Sequence, residues 1–235
     1  MRLTDVETVL LAGATGGTGW ELLDLLAPRV ETVRALTRSR ENVANLEMAG
    51  ADTVFVDDLL APSDLEPAVE GADVVISAVG TAPKSVLSGP PYVDGEGAQT
   101  LLEAAVQANV NAFVMESALG VGDEPASALG TLFNLMIKPI QTAKSETETA
   151  IREAPLRHTI FRPGILTNGP QTNAVTVAEP GTKLWGLISR RDVARLMAAA
   201  PVTDAATNRT FELTATPRLA DRGLNIEWEL PNKCD

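Results

Sequence analysis

The run Val9-Leu10-Leu11-Ala12-Gly13-Ala14-Thr15-Gly16-Gly17-Thr18-Gly19 restricts the fold of this chain more than any other stretch. The residues before Gly13 suit a short buried strand (Thr8–Ala12), and Gly17–Leu26 suits the helix that follows, with Thr15 as a candidate cap. Three glycines at a three-residue spacing join the two. Gly13 permits the tight turn, Gly16 lets a ligand approach the backbone, and Gly19 lets the helix pack on the sheet. The free amides and positive dipole end at Gly17 and Thr18 then suit the pyrophosphate of a dinucleotide. A tight strand-to-helix turn without a ligand is the competing reading.

Beyond the turn, apolar strand-like runs alternate with amphipathic segments, the pattern of βαβ units and a parallel sheet. Strands are expected at Thr8–Ala12, Thr32–Leu36, Thr53–Val56, Val74–Ala78, Ala112–Met115, His158–Phe161 and Thr210–Leu213. Helices are expected near Gly17–Leu26, Arg40–Ala49, Ser63–Val69, Gly97–Ala108, Thr142–Glu153 and Arg191–Ala199, with Ser63 and Ser189 as further caps. The fold class is therefore α/β: a doubly wound, Rossmann-type parallel sheet with helices on both faces, in one domain over 1–235. Two stretches break the rhythm, Leu119–Ile140 and Thr167–Ile188. Each follows a predicted strand, and in open α/β sheets the ligand crevice lies beyond the strands' carboxyl ends. They are the expected walls of a substrate pocket, with packing loops as the alternative. The tail Asn225–Leu230 alternates polar and apolar residues and could form an edge strand.

The end of the second strand bears on the choice of dinucleotide. An acidic residue there would bind the ribose hydroxyls of NAD, whereas arginine suits the 2′-phosphate of NADP. The strand ends Ala35-Leu36-Thr37-Arg38-Ser39-Arg40, with no carboxylate at its tip. Arg38, supported by Ser39 or Arg40, is the candidate phosphate site, because guanidinium pairs charge and two donors with phosphate. NADP(H) is favoured over NAD(H); arginines that simply face solvent are the alternative.

Charge and composition exclude several classes. A formal net charge of −12 repels nucleic acid and anionic membrane, so neither is an expected partner. Only five of the 19 basic residues are lysine. This acidic, lysine-poor balance fits either an ordinary solvated surface or adaptation to high salt. No apolar run reaches the roughly 18 to 20 residues needed to span a bilayer, and the opening residues lack the layout of a secretory signal. With a single cysteine, Cys234, intramolecular disulfides are excluded and a cytoplasmic setting is expected. No Cys, His and carboxylate cluster has metal-ligand spacing, and no serine sits in a nucleophile elbow with a histidine partner. The one histidine, His158, begins a predicted strand away from the expected crevice, where a structural role outweighs a catalytic one.

With these residues in view, the chain resembles the atypical short-chain dehydrogenase/reductases, in their NmrA-like NAD(P)-binding branch. The likeness runs from Thr8 to about Leu213. It is carried by the glycine turn, Leu36-Thr37-Arg38, Asp57-Asp58-Leu59 with Leu65 and Ala68, and Gly71-Ala72-Asp73-Val74-Val75 leading to Gly80. Val93-Asp94 with Gly97, Phe113-Val114-Met115-Glu116-Ser117, Lys144 with Glu148, and Phe161-Arg162-Pro163-Gly164 complete it. The resemblance implies that Asp58 and Leu59 contact adenine, that Ala78, Val79 and Gly80 approach the ribose, and that Pro163, Gly164 and Ile165 lie at the nicotinamide end. It also implies a tyrosine four residues before Lys144 as general acid. Here that position is Ile140, and the only tyrosine is Tyr92, which is followed four residues later by Glu96. Ser117 and Lys144 remain as candidate catalytic residues. Lys144 would hydrogen-bond the nicotinamide ribose, or else pair with Glu148 on the helix surface.

Without the tyrosine, a developing alkoxide lacks its proton donor. Hydride transfer to an acceptor that takes up charge itself, such as a flavin or quinone, needs only positioning and exclusion of water. The expected activity is an NADPH-dependent reductase of a small conjugated acceptor, with Leu119, Phe133, Met136, Ile165, Leu166 and Trp185 as apolar walls. The alternatives are a non-catalytic NADP(H)-binding sensor or scaffold and, more weakly, a sugar-nucleotide epimerase or dehydratase.

Overall fold

The computed structural model describes residues 6–81, 89–122, 138–172 and 174–233. Phe133, Met136 and Cys234 lie outside the described residues, as does 123–137 of the first expected pocket wall. The first half winds as β1 (Thr8–Ala12), α1 (Gly17–Leu26), β2 (Thr32–Thr37), α2 (Val43–Met48), β3 (Thr53–Val56), α3 (Glu66–Val69) and β4 (Val74–Ser77). The second half adds α4 (Ala98–Gln107), β5 (Ala112–Glu116), α5 (Lys138–Glu153), β6 (Arg157–Pro163), β7 (Ile165–Thr167), β8 (Thr176–Ala178), β9 (Leu187–Ser189), α6 (Arg190–Ala199) and β10 (Arg209–Thr214).

The main sheet has the order β3-β2-β1-β4-β5-β6-β10-β8, parallel except where β8 pairs with β10. Its central strands are near-continuous apolar runs because both faces are covered. One face packs Leu22, Leu23 and Leu26 of α1 and Val193, Leu196 and Met197 of α6 against Leu11, Val33, Ile76 and Val114. The other packs Leu101, Leu102 and Ala105 of α4 and Ile151 of α5 against Leu10, Val75, Phe113 and Ile160. The doubly wound reading holds. The order reverses between β1 and β4, so a crevice opens beyond their carboxyl ends.

Several local expectations are corrected. The Thr15 cap does not form: Gly16 occupies the N-cap of α1 without a side-chain cap. Ser63 caps no helix either. Its amide donates to Asp57, and α3 begins only at Glu66. Ser189 does cap α6, its Oγ accepting from Asp192 N at 3.0 Å. The stretch before α4 is a π-helical turn, Val93–Gly97. Gly95 has no side chain there, and a Cβ would lie 2.8 Å from Ala143 Cβ of α5. That close approach lets Thr147 Oγ1 donate to Asp94 O at 3.1 Å.

The stretch Thr167–Ile188, expected to be irregular, contains β8 and most of β9, which pairs in parallel with β7 as a separate two-stranded sheet. The tail Asn225–Leu230 forms no strand. Ile226, Trp228 and Leu230 instead pack onto the core, Trp228 lying 5.8 Å from Phe161 and 5.7 Å from Phe211, ring centre to ring centre. No helix among the described residues is long and apolar enough to cross a membrane.

At the end of β6, a Cβ on Gly164 would collide with Gly186 O, and Gly164 N donates to Leu213 O at 2.9 Å. This approach seats the β7–β9 ribbon against β10. Overpacking at a rigid backbone contact costs about 1–3 kcal/mol, and each kcal/mol shifts the midpoint by roughly 2–4 °C in a chain of this size. Gly164→Ala is therefore expected to lower the thermal midpoint by several degrees with no dinucleotide present. A thermal melt checks this, and an unchanged midpoint would remove the packing role.

Candidate functional site

The turn between β1 and α1 is held by sterics. Gly13 has φ +79°, and a Cβ there would lie 2.7 Å from Val79 N. A Cβ on Gly19 would lie 2.8 Å from Ala14 Cα. Gly16 differs, since its Cβ would meet only Gly13 O at 3.2 Å and Ala78 O at 3.8 Å. Gly13 and Gly19 are thus required by packing, while Gly16 stands on the more open side of the turn. The first helical hydrogen bond runs from Trp20 N to Gly16 O, at 2.9 Å. The amides of Gly17, Thr18 and Gly19 therefore precede the first carbonyl that the helix can offer them.

A cavity of about 310 Å³ opens from this turn across the ends of β1, β2, β3 and β4. Gly13, Thr15, Gly16, Arg38, Asp58, Leu59, Ala78, Val79 and Gly80 all line it, as do Asp57, Thr81 and Val93. Its volume falls at the lower end of the range for ligand pockets. Arg38 is exposed and makes no hydrogen bond or ion pair among the described residues, so its five donors face the cavity mouth uncommitted. Ser39 lies outside the lining and donates its amide to Thr37 Oγ1 at 3.3 Å.

The paired aspartates after β3 divide their work. Asp57 accepts the amides of Asp58, Ser63 and Asp64 and closes its own loop. Burial disfavours its charge, but these hydrogen bonds outweigh that and hold its pKa below the ordinary value. Asp58 is exposed and gives Oδ1 to Leu60 N at 3.0 Å, which leaves Oδ2 for an exocyclic amine.

The second half of the crevice is floored by buried charge. Lys144 Nζ lies 2.7 Å from Asp94 Oδ1 and 3.3 Å from Glu116 O. The pairing of Lys144 with Glu148 on the helix surface is overturned, because Lys144 is buried and turned toward the π-helical turn. Burial disfavours the Asp94 carboxylate. The Lys144 charge and the Thr81 amide, 2.6 Å from Oδ2, outweigh burial and hold the pKa below the ordinary range. Glu148 meets Arg162 through two bonds of 3.0 and 2.6 Å and accepts Ser117 Oγ at 2.6 Å. Burial disfavours this charge too, yet the Arg162 bonds outweigh it and depress the pKa. Ser117 therefore spends its proton on Glu148. Ile140 stands one turn before Lys144 and is half-buried.

Further sequence candidates lie outside the cavity lining. Thr18 is buried and donates Oγ1 to Glu116 Oε1 at 3.0 Å. A Cβ on Gly17 would strike Arg190 Cδ at 2.6 Å. Pro163 is buried at the end of β6 with its carbonyl taken by Leu119 N at 2.8 Å, and Gly164 packs on Gly186. Ile165 is exposed and in register with Leu187 of β9, and Leu187 and Trp185 are exposed as well. Leu119 and Leu166 are only partly buried nearby. His158 lies at the opposite end of the sheet, where burial pushes its pKa down.

Glu116, Asp94, Arg162 and Arg190 escaped the sequence reading as participants. Their partners lie 98 residues away for Glu116 and 50 for Asp94 and Lys144, beyond any local periodicity. Glu116 is the exceptional one. Burial drives its carboxyl up to about 7, against the pull of Lys144, Thr18 and Arg190, with the Asp94 charge adding to the rise.

A carboxyl that holds its proton to about 7 when folded, against an ordinary 4.5, lowers stability as pH rises between those values. At about 1.4 kcal/mol per pK unit, the loss amounts to a few kcal/mol at most. Glu116→Gln keeps the acceptor for Thr18 and removes the titration. The variant is expected to melt several degrees higher than the parent at pH 8, with that advantage gone at pH 5, a contrast that paired melts would read. An equal difference at both pH values would show that Glu116 is ionised throughout.

The NAD(P)H-binding family profile matches residues 13–204. YhfK of Bacillus subtilis, described as an uncharacterized sugar epimerase, is 33% identical over 207 residues, covering 88% of this chain and 93% of its own. Sanguinarine reductase of Eschscholzia californica is 27% identical over 250 residues, covering 89% of each. A solved structure from Bacillus halodurans, assigned to the NAD-dependent epimerase/dehydratases, superposes with a TM-score of 0.76 at 26% identity. It covers 92% of this chain and 99% of that one. Taken with the glycine turn and its cavity, these matches place the chain in the NAD(P)H-binding family, among the atypical short-chain dehydrogenase/reductases.

Proposed function

We propose that this protein is an NADPH-dependent reductase of a small conjugated acceptor such as a flavin or quinone. The observation that carries this reading is the commitment of both candidate proton donors. Ser117 gives its hydrogen to Glu148, and Lys144 is locked to Asp94 with an isoleucine where a tyrosine would complete a dyad. A carbonyl substrate would lack its proton donor at this place, whereas an acceptor that delocalises charge would not need one.

The residues fit the dinucleotide in parts. Amides of Gly17 and Thr18 would take the pyrophosphate, Asp58 and Leu59 the adenine, and Ala78, Val79 and Gly80 the ribose beside it. Arg38, with Ser39 beside it, would pair with the 2′-phosphate. Lys144, fixed by Asp94, would orient toward the nicotinamide ribose, while Pro163 and Ile165 would border the nicotinamide end. When bound, NADPH supplies the hydride. The chain's own work is to hold the acceptor against Leu119, Ile165, Leu166 and Trp185 and to exclude water. A relative named as a reductase supports this reading. Relatives named as epimerases raise sugar-nucleotide chemistry as a second reading, but Ile140 leaves that chemistry without its usual acid–base tyrosine.

The test is NADPH consumption by the purified chain with flavin and quinone acceptors, in low and in high salt. Acceptor-dependent turnover is expected. Tight binding of NADPH without turnover on any acceptor would favour a sensor instead. Arg38→Ala is expected to weaken NADPH by roughly ten- to a hundredfold, the worth of a charge-assisted pair of hydrogen bonds, and to leave NADH nearly unchanged. Equal losses for both cofactors, measured by fluorescence titration, would sink the 2′-phosphate assignment and with it the preference for NADP(H).

A further inference from the structure

Arg190 is the first residue of α6, and its position is firmly fixed. Ser189 Oγ and Asp192 cap one another, with Asp192 N donating to Ser189 Oγ at 3.0 Å and Ser189 Oγ donating to Asp192 Oδ2 at 2.8 Å. Asp192 in turn accepts Thr172 N and Thr172 Oγ1, at 3.1 and 2.7 Å, tying the preceding loop to the start of the helix. From this anchor the Arg190 side chain runs across the first turn of α1. Its Cδ, Nε and Cζ lie 2.6, 2.7 and 3.4 Å from where a Cβ on Gly17 would stand. A side chain at Gly17 would displace the arginine from this position.

The resulting electrostatics are unbalanced. A guanidinium rests on the positive end of a helix dipole, beside the amides of Gly17, Thr18 and Gly19 that precede the first helical acceptor. The first turn of α1 carries no acidic residue to offset it. Among the described residues, Arg190 makes no ion pair, and its one hydrogen bond is from Nη1 to the neutral amide oxygen of Asn168, at 2.6 Å. The adjacent Arg191 differs, since it meets Glu21 at 2.9 Å. Glu116, whose carboxyl the Arg190 charge pulls down, is buried and already accepts the Thr18 hydroxyl. Three amides without a helical acceptor, a helix terminus and a half-buried guanidinium with donors to spare stand side by side, a combination whose chemistry suits an anion.

We propose that Arg190 is the cationic arm that holds the dinucleotide's pyrophosphate against the start of α1, with Asn168 orienting the guanidinium. The inference rests on the cofactor reading above and adds to it a contact contributed by the far end of the chain. Arg38 and Arg190 then divide the anionic groups, one to the 2′-phosphate and one to the pyrophosphate.

Calorimetric titration of the full chain with two partial ligands separates these roles. ADP-ribose carries the pyrophosphate without a 2′-phosphate, and 2′-AMP carries the 2′-phosphate without a pyrophosphate. Arg190→Met keeps the aliphatic stem over Gly17 and removes the charge. It is expected to weaken ADP-ribose and NADPH by similar factors, roughly ten- to a hundredfold as for a lost charge-assisted hydrogen bond. It should leave 2′-AMP unchanged. Arg190→Lys should recover part of the loss, and Arg38→Ala should give the opposite ligand pattern. Unchanged ADP-ribose affinity in Arg190→Met would overturn the proposal, and so would an equal loss of 2′-AMP, which would mark a general disturbance. A parent chain that binds neither ligand would overturn the cofactor reading itself and this contact with it.

Discussion

The approach of α1 to the ends of β1 and β4 is the constraint from which the rest of the site follows. Gly13 and Gly19 remove the two side chains that would hold the helix off the sheet, at Val79 N and Ala14 Cα. With the helix seated there, its positive end points into the crevice and Thr18 comes within 3.0 Å of Glu116 at the tip of β5. The first turn of α1 also becomes the floor on which Arg190 lies. One steric condition, met by residues close in sequence, thereby brings together groups from the start, middle and end of the chain.

Beneath the crevice the charges are arranged in pairs rather than spread. Asp94 faces Lys144, and Glu148 faces Arg162 with both oxygens engaged. Desolvating such ions is costly unless geometry and hydrogen bonds compensate, and here every carboxylate of these two pairs has a cation and further donors. Buried pairs of this quality hold elements at fixed spacing. The Asp94–Lys144 pair fastens the π-helical turn to α5, and the Glu148–Arg162 pair fastens α5 to β6. Glu116 has no ion-pair partner among the described residues, and burial there raises its carboxyl.

Legibility in the sequence followed the range of the interactions. The bounds of β1, α1 and β3 were visible because local periodicity, glycine chemistry and strand composition all agree there. The cavity lining was likewise legible, since Arg38, Asp58, Leu59 and Ala78 lie within three residues of a strand end and the winding of the sheet carries them to one crevice. The β7–β9 ribbon was not, because three-residue strands pair across a long insertion and carry no alternation long enough to register. The tail misled for the opposite reason. Its alternation reflects Ile226, Trp228 and Leu230 dipping into the core beside Phe161 and Phe211, with no ladder required. Lys144 was visible as a residue, but whether it faced solvent or Asp94 depended on Gly95 admitting α5, a contact between segments some 50 residues apart.

These long-range contacts also explain how a family site can keep its architecture with one reactive side chain replaced. Lys144 does not need a tyrosine to hold its place, because Asp94 and the Glu116 carbonyl fix it. Ser117 does not need a substrate, because Glu148 accepts its proton. Replacing the tyrosine position with Ile140 therefore leaves no unsatisfied charge and no collapsed helix, only an apolar surface one turn above a fixed lysine. Under the proposed reductase reading, such a surface would help to position a flat, charge-spreading acceptor. In a chain of net charge −12, the binding of an anionic dinucleotide would then rest on local cations such as those proposed at Arg38 and Arg190, acting against the field of the whole.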